Sequence, residues 1–296
     1  RPYGAYHDLA VMVDGDAAAA LGELARERWL RATGRRAPMS RLRAAVPALR
    51  RGVVGRAFDR VSRARDEVTQ RARSLARRAA RIAEPAPGDP WPSAVEPAIR
   101  DIDVAIAGTE AAYLERPAVH EVEALWLDAI ASAKRSIYVE NQYFTSKTIA
   151  DALARRLAEP DGPEVVLIQP LSCAGWLEQV SMGILRGDRL RQLAEADAGG
   201  RLRVMHPVAS DGSPIYVHSK LLVVDEAFLR IGSANASNRS LRLDTECDVV
   251  VESLGRDDVS AAIRSLRDGL LAEHLGSDER TVGDSVARTS LRETID

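Results

Sequence analysis

The chain has 296 residues, 46% of them apolar, with 41 Lys and Arg against 43 Asp and Glu. That size allows one large core or two small ones, and the near-neutral charge excludes a global field that would gather nucleic acid or anionic lipid. No apolar run reaches the roughly 18 residues of a membrane span, and Cys173 and Cys247 alone exclude a disulfide framework.

Lysine is rare: only Lys134, Lys147 and Lys220 occur, and Arg and Ala abound, as in a GC-rich bacterial genome. The first residue is Arg1 rather than Met, so a fragment or processed product is expected, its upstream part carrying any targeting segment. Without one, a cytoplasmic or peripheral-membrane location is expected.

In chain order, residues 1–34 read as an apolar strand between Asp8 and Asp14, then a helix over Ala17–Leu30 with Leu21, Leu24 and Trp29 on one stripe, closed at Gly34. Residues 35–94 read as an insertion. Its part from 39 to 83 is Arg-rich and helical, with thirteen Arg against three acids, and 84–92 is a Pro-rich loop. The insertion reads as a solvated helical hairpin; its functional alternative is a basic surface for peripheral membrane contact, each Arg adding about 1 kcal/mol near anionic lipid.

From residue 95 strand signals at 102–107, 136–140, 164–169 and 201–205 alternate with helical patterns at 119–133, 147–158 and 177–194. This alternation predicts an α/β fold, a mixed β-sheet with helices on both faces, over residues 95–280. Residues 281–296 read as a polar tail.

The chemistry concentrates in Tyr216-Val217-His218-Ser219-Lys220-Leu221-Leu222-Val223-Val224-Asp225. On an extended strand, residues two apart share a face, so His218 and Lys220 place an imidazole beside an ammonium. Lys neutralises phosphoryl oxygens, and His attacks phosphorus or moves a proton. A short strand, 228–231, leads to Gly232-Ser233-Ala234-Asn235. Gly232 lets the backbone approach a ligand, and Ser233 and Asn235 can donate to the same anion. Glu246 opens a third strand, where a carboxylate could hold the imidazole of His218 through its Nδ1 proton. Asp225 reads mainly as a cap at the turn that follows its strand. Glu140, Asn141 and Gln142 lie at a strand end, where α/β proteins place ligands, and are expected at the site mouth. His7, His120, His206 and His274 read as surface, packing or structural residues. No second His or Cys sits at zinc-ligand spacing from His218, so no metal and no cofactor are expected.

His218-x-Lys220-x4-Asp225, Gly232-Ser233-x-Asn235, Asn238-Arg239-Ser240 and Glu246 together resemble the C-terminal HKD motif of the phospholipase D superfamily. Ile137 to Phe144, with its Glu-Asn-Gln-Tyr-Phe core, Glu178 to Gly183, and Leu271-Ala-Glu-His-Leu-Gly276 are similar to flanking segments of that family. Where the family pattern has Arg-Thr after Ile106-Ala107, this chain has Gly108-Thr109.

The resemblance implies catalysis by His218, Lys220, Asp225 and Glu246, and phosphate binding by Lys220, Ser233 and Asn235. It implies cleavage or alcohol exchange at a glycerophospholipid phosphodiester through a phosphohistidine. Two-motif members join two copies of one α/β unit. The strand and helix after Asp8 echo those after Glu246, so residues 1–34 read as the tail of a first copy, with Asp8 expected to orient the missing histidine. No other His-x-Lys occurs in the chain. Completion is therefore expected from an upstream half, a partner chain or a homodimer. Alternatives are a cardiolipin-synthase-like transferase and a non-catalytic lipid-binding half. Nucleic acid is not expected as a partner.

Overall fold

The computed structural model describes residues 4–35, 95–173 and 175–296, without the side chains of 176–179. The expected Arg-rich insertion lies outside these residues.

Near the start, β1 (Tyr6–His7) and α1 (Gly15–Thr33) are joined by a segment without regular structure. Then come β2 (Val104–Glu110), β3 (Val119–His120), α2 (Glu121–Ser132), β4 (Ser136–Asn141), α3 (Lys147–Leu157), β5 (Glu164–Ile168), α4 (Trp176–Ala196) and β6 (Leu202–Met205). The motif region supplies β7 (Tyr216–Val217), β8 (Lys220–Val224), β9 (Phe228–Gly232), α5 (Asn238–Arg242) and β10 (Glu246–Glu252), and the chain continues with α6 (Asp257–Leu275), α7 (Glu279–Arg288) and α8 (Leu291–Ile295).

The main sheet runs β3-β2-β10-β9-β8-β4-β5-β6. β4, β5 and β6 are parallel neighbours, and every other pairing is antiparallel. Alternation along each strand sends side chains to opposite faces. Ile137, Val139, Leu167, Leu222 and Val224 meet Trp126, Ile130, Leu153 and Leu241 from α2, α3 and α5 on one face. Tyr138, Val166, Ile168, Leu221 and Val223 meet Ile263, Leu271, Val282 and Leu291 from α6, α7 and α8 on the other. The expected mixed sheet, covered by helices on both faces, is the observed architecture.

Three expectations change. Leu9 to Val13 form no strand. Val11 and Met12 are exposed, and only β1 pairs, in parallel with β7 through Tyr6–Tyr216 and His7–Val217. Residues 281–296 are not a tail: α7 and α8 pack on α6 and β5, burying Val282 and Leu291 under side-chain caps from Asp278 and Ser290. Their apolar residues recur at helical spacing and were hidden by the polar composition. Finally, the motif strand is interrupted. β7 pairs with β1 outside the main sheet, so His218 and Ser219 fall between β7 and β8, and the main-sheet strand begins at Lys220.

Candidate active site

The C-terminal end of β4, the start of β8, the end of β9 and the start of β10 lie along one edge of the sheet, because antiparallel pairing alternates strand direction. Asn141, Gln142, Lys220, Ser233, Asn235 and Glu246 lie on or directly beside these strand ends, His218 lies in the link from β7 to β8, and Asp8 follows β1.

His218 donates from Nδ1 to Asp8 Oδ2 at 2.9 Å, and its backbone N–H bonds the His7 carbonyl at 2.7 Å. The parallel β1–β7 pairing sets this register. The imidazole is about one-third exposed, with the Tyr6 ring 5.5 Å away across its face. Tyr6 in turn stacks on Tyr216 at 5.5 Å. With Nδ1 taken by the carboxylate, Nε2 is the nitrogen left for chemistry. Burial acts to raise the Asp8 carboxyl, but the hydrogen bonds from His218 and the Leu9 N–H outweigh it and hold the group below its ordinary value.

Lys220 is buried, and its ammonium donates to Gln142 Oε1 at 3.2 Å and back to the His218 carbonyl. Desolvation pulls its pKa down to about 8, against the opposing pull of the Asp8 and Glu246 carboxylates. Lys220 therefore holds its charge weakly, and an arriving phosphate would favour the charged form.

The Gly232–Asn235 loop is fixed from below. Arg230 and Asp248, both fully buried, pair at 2.6 Å. The Arg230 guanidinium also donates to the Lys220 and Ala234 carbonyls at 3.3 and 2.6 Å and lies 5.3 Å from the Trp126 ring. One buried cation thus ties the lysine to the loop bearing Ser233 and Asn235. A Cβ on Gly232 would fall 2.0 Å from Asp248 Oδ1 and 2.6 Å from its Cα. Gly232 therefore allows a close approach to β10, not to a ligand as the sequence reading expected. Asn141 Oδ1 accepts from the Ala236 N–H at 3.0 Å and steadies the loop's far side, while Asn235 Oδ1 is buried without a hydrogen-bond partner.

Several expected roles are reassigned. Glu246 does not hold His218. It accepts from the Ser233 hydroxyl at 2.5 Å, and Ser233 accepts from the Cys247 N–H at 3.0 Å. The acid on His218 is Asp8, which had been expected to serve the other histidine. The reason is topological: β1 lies against β7, next to His218, whereas Glu246 starts β10, two strands from β8. Asp225, grouped with the catalytic residues, stands at the opposite end of β8, roughly 16 Å from Lys220 at about 3.3 Å per residue. Its carboxylate accepts the N–H groups of Lys134, Arg135 and Ser136 at 2.6–2.8 Å and orients the start of β4. Gln142 accepts from Lys220, and Asn141 supports the Asn235 loop.

Glu140 is not at the mouth. It is fully buried and points to the α6 face, where its two oxygens meet four donors. His7 Nε2 and the Ser219 hydroxyl reach Oε2 at 2.8 and 2.7 Å, and the Tyr138 hydroxyl and His274 Nε2 reach Oε1 at 2.7 and 3.0 Å. His7 Nδ1 also meets Glu273 at 3.0 Å. Burial alone would lower the His7 pKa, but Glu140 and then Glu273 raise it to about 9. Burial would raise the Glu140 carboxyl, and the donated bonds of His274 and His7 instead hold it far below the carboxylate range. His7 and His274, read from sequence as surface or packing residues, are thus parts of a charged network. His206 is structural as expected, its Nδ1 bonding the Gln169 carbonyl at 3.1 Å.

Among the described residues, His7, Glu140 and His274 are the group with donor atoms close enough, within 4.8 Å, to hold a metal ion. A cation there would have to displace the protons that now meet the carboxylate. Beside Gly108 a guanidinium does arrive, but from α1: Arg28 donates to the Glu246 carbonyl at 2.8 Å.

Comparison with known proteins gives consistent relatives. The family model described as "Cardiolipin synthase, PLD-like domain" matches residues 126–265, which contain the whole motif region. A phospholipase D of Phytophthora infestans is 26% identical over 221 residues, covering 57% of this chain and 12% of its own length. Phospholipase D zeta 2 of Arabidopsis thaliana is 29% identical over 203 residues, covering 50% and 19%. The matches thus span under a fifth of these relatives. Among solved structures, the phospholipase D family member Nuc of Salmonella typhimurium aligns with 60% of this chain and 93% of its own at a TM-score of 0.40 and 20% identity. A phosphatidylserine synthase of Haemophilus influenzae aligns with 65% and 46% at a TM-score of 0.45 and 16% identity. On the sequence motifs, the family model and the curated relatives, residues 126–265 form a domain of the phospholipase D superfamily.

Proposed function

We propose that this chain supplies one half of a phospholipase D-type site that cleaves or exchanges a glycerophospholipid phosphodiester. The observation that carries the reading is the His218–Asp8 pair at 2.9 Å beside the buried Lys220 ammonium. Asp8 fixes the Nδ1 proton and stabilises the imidazolium, which leaves Nε2 to give or take a proton at the substrate. Lys220, Ser233 and Asn235 bind the phosphoryl oxygens, where charge accumulates as the displacement proceeds.

In this reading a second imidazole, from another HKD unit, attacks phosphorus and forms a phosphohistidine as the P–O bond to the leaving alcohol breaks. His218 Nε2–H protonates that alkoxide. Neutral His218 then takes a proton from water or an acceptor alcohol, whose oxygen attacks phosphorus and releases the second imidazole. The reverse assignment, with His218 as nucleophile, uses the same geometry. Glu246, near Lys220 and not bound to His218, is the acid available to orient the second imidazole. That imidazole comes from the same polypeptide, a partner chain or a second copy, since the sequence has one His-x-Lys. Proton transfer and charge neutralisation are supplied by side chains, so activity is expected without added metal. The cardiolipin synthase description of the matching family model favours alcohol exchange as a second reading of the same chemistry.

The test is turnover of phosphatidylcholine vesicles and of bis(p-nitrophenyl) phosphate in chelator, alone and with glycerol as acceptor, by the chain assembled with a second HKD unit. Cleavage that survives chelator and disappears in His218→Ala supports the proposal. Full activity of His218→Ala, or loss in chelator restored by zinc, contradicts it.

A further inference from the structure

We propose that Glu140 is a positioning residue: its buried carboxylate clamps the neighbours of both members of the His218–Asp8 pair and thereby sets that pair's geometry. The inference rests on the reading of His218 as the reactive imidazole, and it gives the Glu-Asn-Gln and Glu-His-Leu-Gly segments a shared purpose.

Asp8 follows His7, and His218 precedes Ser219. His7 Nε2 and the Ser219 hydroxyl both end on one oxygen, Glu140 Oε2, at 2.8 and 2.7 Å. The two chain segments that bear the catalytic pair are therefore bolted to a single atom. The His218 N–H to His7 carbonyl bond, 2.7 Å, closes the loop. Glu140 Oε1 is held in turn by the Tyr138 hydroxyl, and by His274 from α6. A carboxylate has about four acceptor directions, and here all are used. Both ring nitrogens of His7 face carboxylate oxygens, of Glu140 and Glu273, so His7 donates twice and carries charge.

The arrangement also accounts for the break between β7 and β8. Asp8 reaches His218 from outside the main sheet, directly after a two-residue strand whose two-stranded ladder is marginal by itself. Without an anchor that ladder could slide or fray, and a shift of about 1 Å at the pair is enough to cost about 10²-fold. Charge-assisted hydrogen bonds in a dry site are short and directional, which suits them to this task. Outer partners that orient a reactive imidazole are typically worth about 10- to 100-fold where they have been removed around bound metals, and we expect the same scale here.

The test follows the His218 ring by long-range ¹H–¹⁵N NMR in the whole chain. In the wild type, the neutral ring is expected as the Nδ1–H tautomer that Asp8 selects. Asp8→Asn, the control, should lose that preference. Ser219→Ala, which removes one hydroxyl and keeps the buried charges paired, and Glu140→Gln should also lose it while amide spectra stay native. In the assembled enzyme the same variants should lower kcat by about 10-fold or more with KM within about 2-fold. Native-like Ser219→Ala retaining the wild-type tautomer and kcat overturns the proposal, and it decides the matter alone if Glu140→Gln does not fold. Because the tautomer is read without substrate, coupling seen in a chain that cleaves no diester would reject the phospholipase D reading and leave the clamp standing.

Discussion

At the scale of single residues, the two acids of the site divide the work. Asp8 is bound to His218, and Glu246 is bound to Ser233 instead. Asp8→Asn should therefore cut turnover by about 10²- to 10⁴-fold, the usual worth of assisted proton transfer, and change the His218 tautomer. Glu246→Gln should cut turnover in the assembled enzyme and leave the His218 ring spectrum unchanged. Steady-state rates together with ¹⁵N spectra separate the two. Lys220 adds a pH dependence. Its pKa of about 8 means that the ammonium is present below that pH and lost above it. Binding of a phosphate mimic such as tungstate should weaken as pH rises through about 8, and Lys220→Met should abolish the trend. That His218 and Lys220 come together was legible in sequence because the residues are two apart. The pairing of His218 with Asp8 was not, because it joins residues 210 positions apart across a parallel ladder of two residues.

At the scale of elements, β8 to β10 are held by the Arg230–Asp248 pair, and the edge around His218 by the Glu140 network. Arg230→Met leaves Asp248 buried and unpaired, and releases the Lys220 and Ala234 carbonyls. A loss of about 3–5 kcal/mol is expected in denaturant titrations, with loss of phosphate-mimic binding. His7 sets a stability window with a definite sign. Its folded pKa, about 9, lies above the ordinary value of 6.5, so its stabilisation is complete below about pH 6.5 and declines as pH rises through 9. Between about pH 6.5 and 8 this is worth on the order of 2 kcal/mol, before Lys220 begins to act in the opposite sense at higher pH. Denaturant titrations at those two pH values should show the decline in the wild type and a flatter response in His7→Gln. Strands β4, β5, β8 and β10 were readable because buried strands are near-continuous apolar runs. The network was unreadable for the opposite reason: His7, Glu140 and His274 are isolated polar residues on three elements, and only the packing of α6 against β4 brings them together.

At the scale of the molecule, one α/β unit carries His218 and Lys220 at one end of the strands of an eight-stranded sheet. The alternation of strands and helices foretold that layered architecture, and the likeness of the segments after Asp8 and Glu246 suggested a second, partial copy at the start of the chain. The described residues there give a two-residue strand and the helix α1, and Leu9 to Val13 form no strand. What this segment contributes is Asp8, which meets His218, and His7, which meets Glu140. No described helix is long and apolar enough to cross a membrane. The proposed chemistry requires that His218 and Lys220 grip a phosphoryl group together. The most direct measurement is a tungstate titration of the chain, followed by NMR of the His218 ring and the Lys220 ammonium. Saturable shifts of both groups with one common affinity, lost in Lys220→Met, are predicted. Saturation of the protein by tungstate with the His218 and Lys220 signals unmoved would contradict the account.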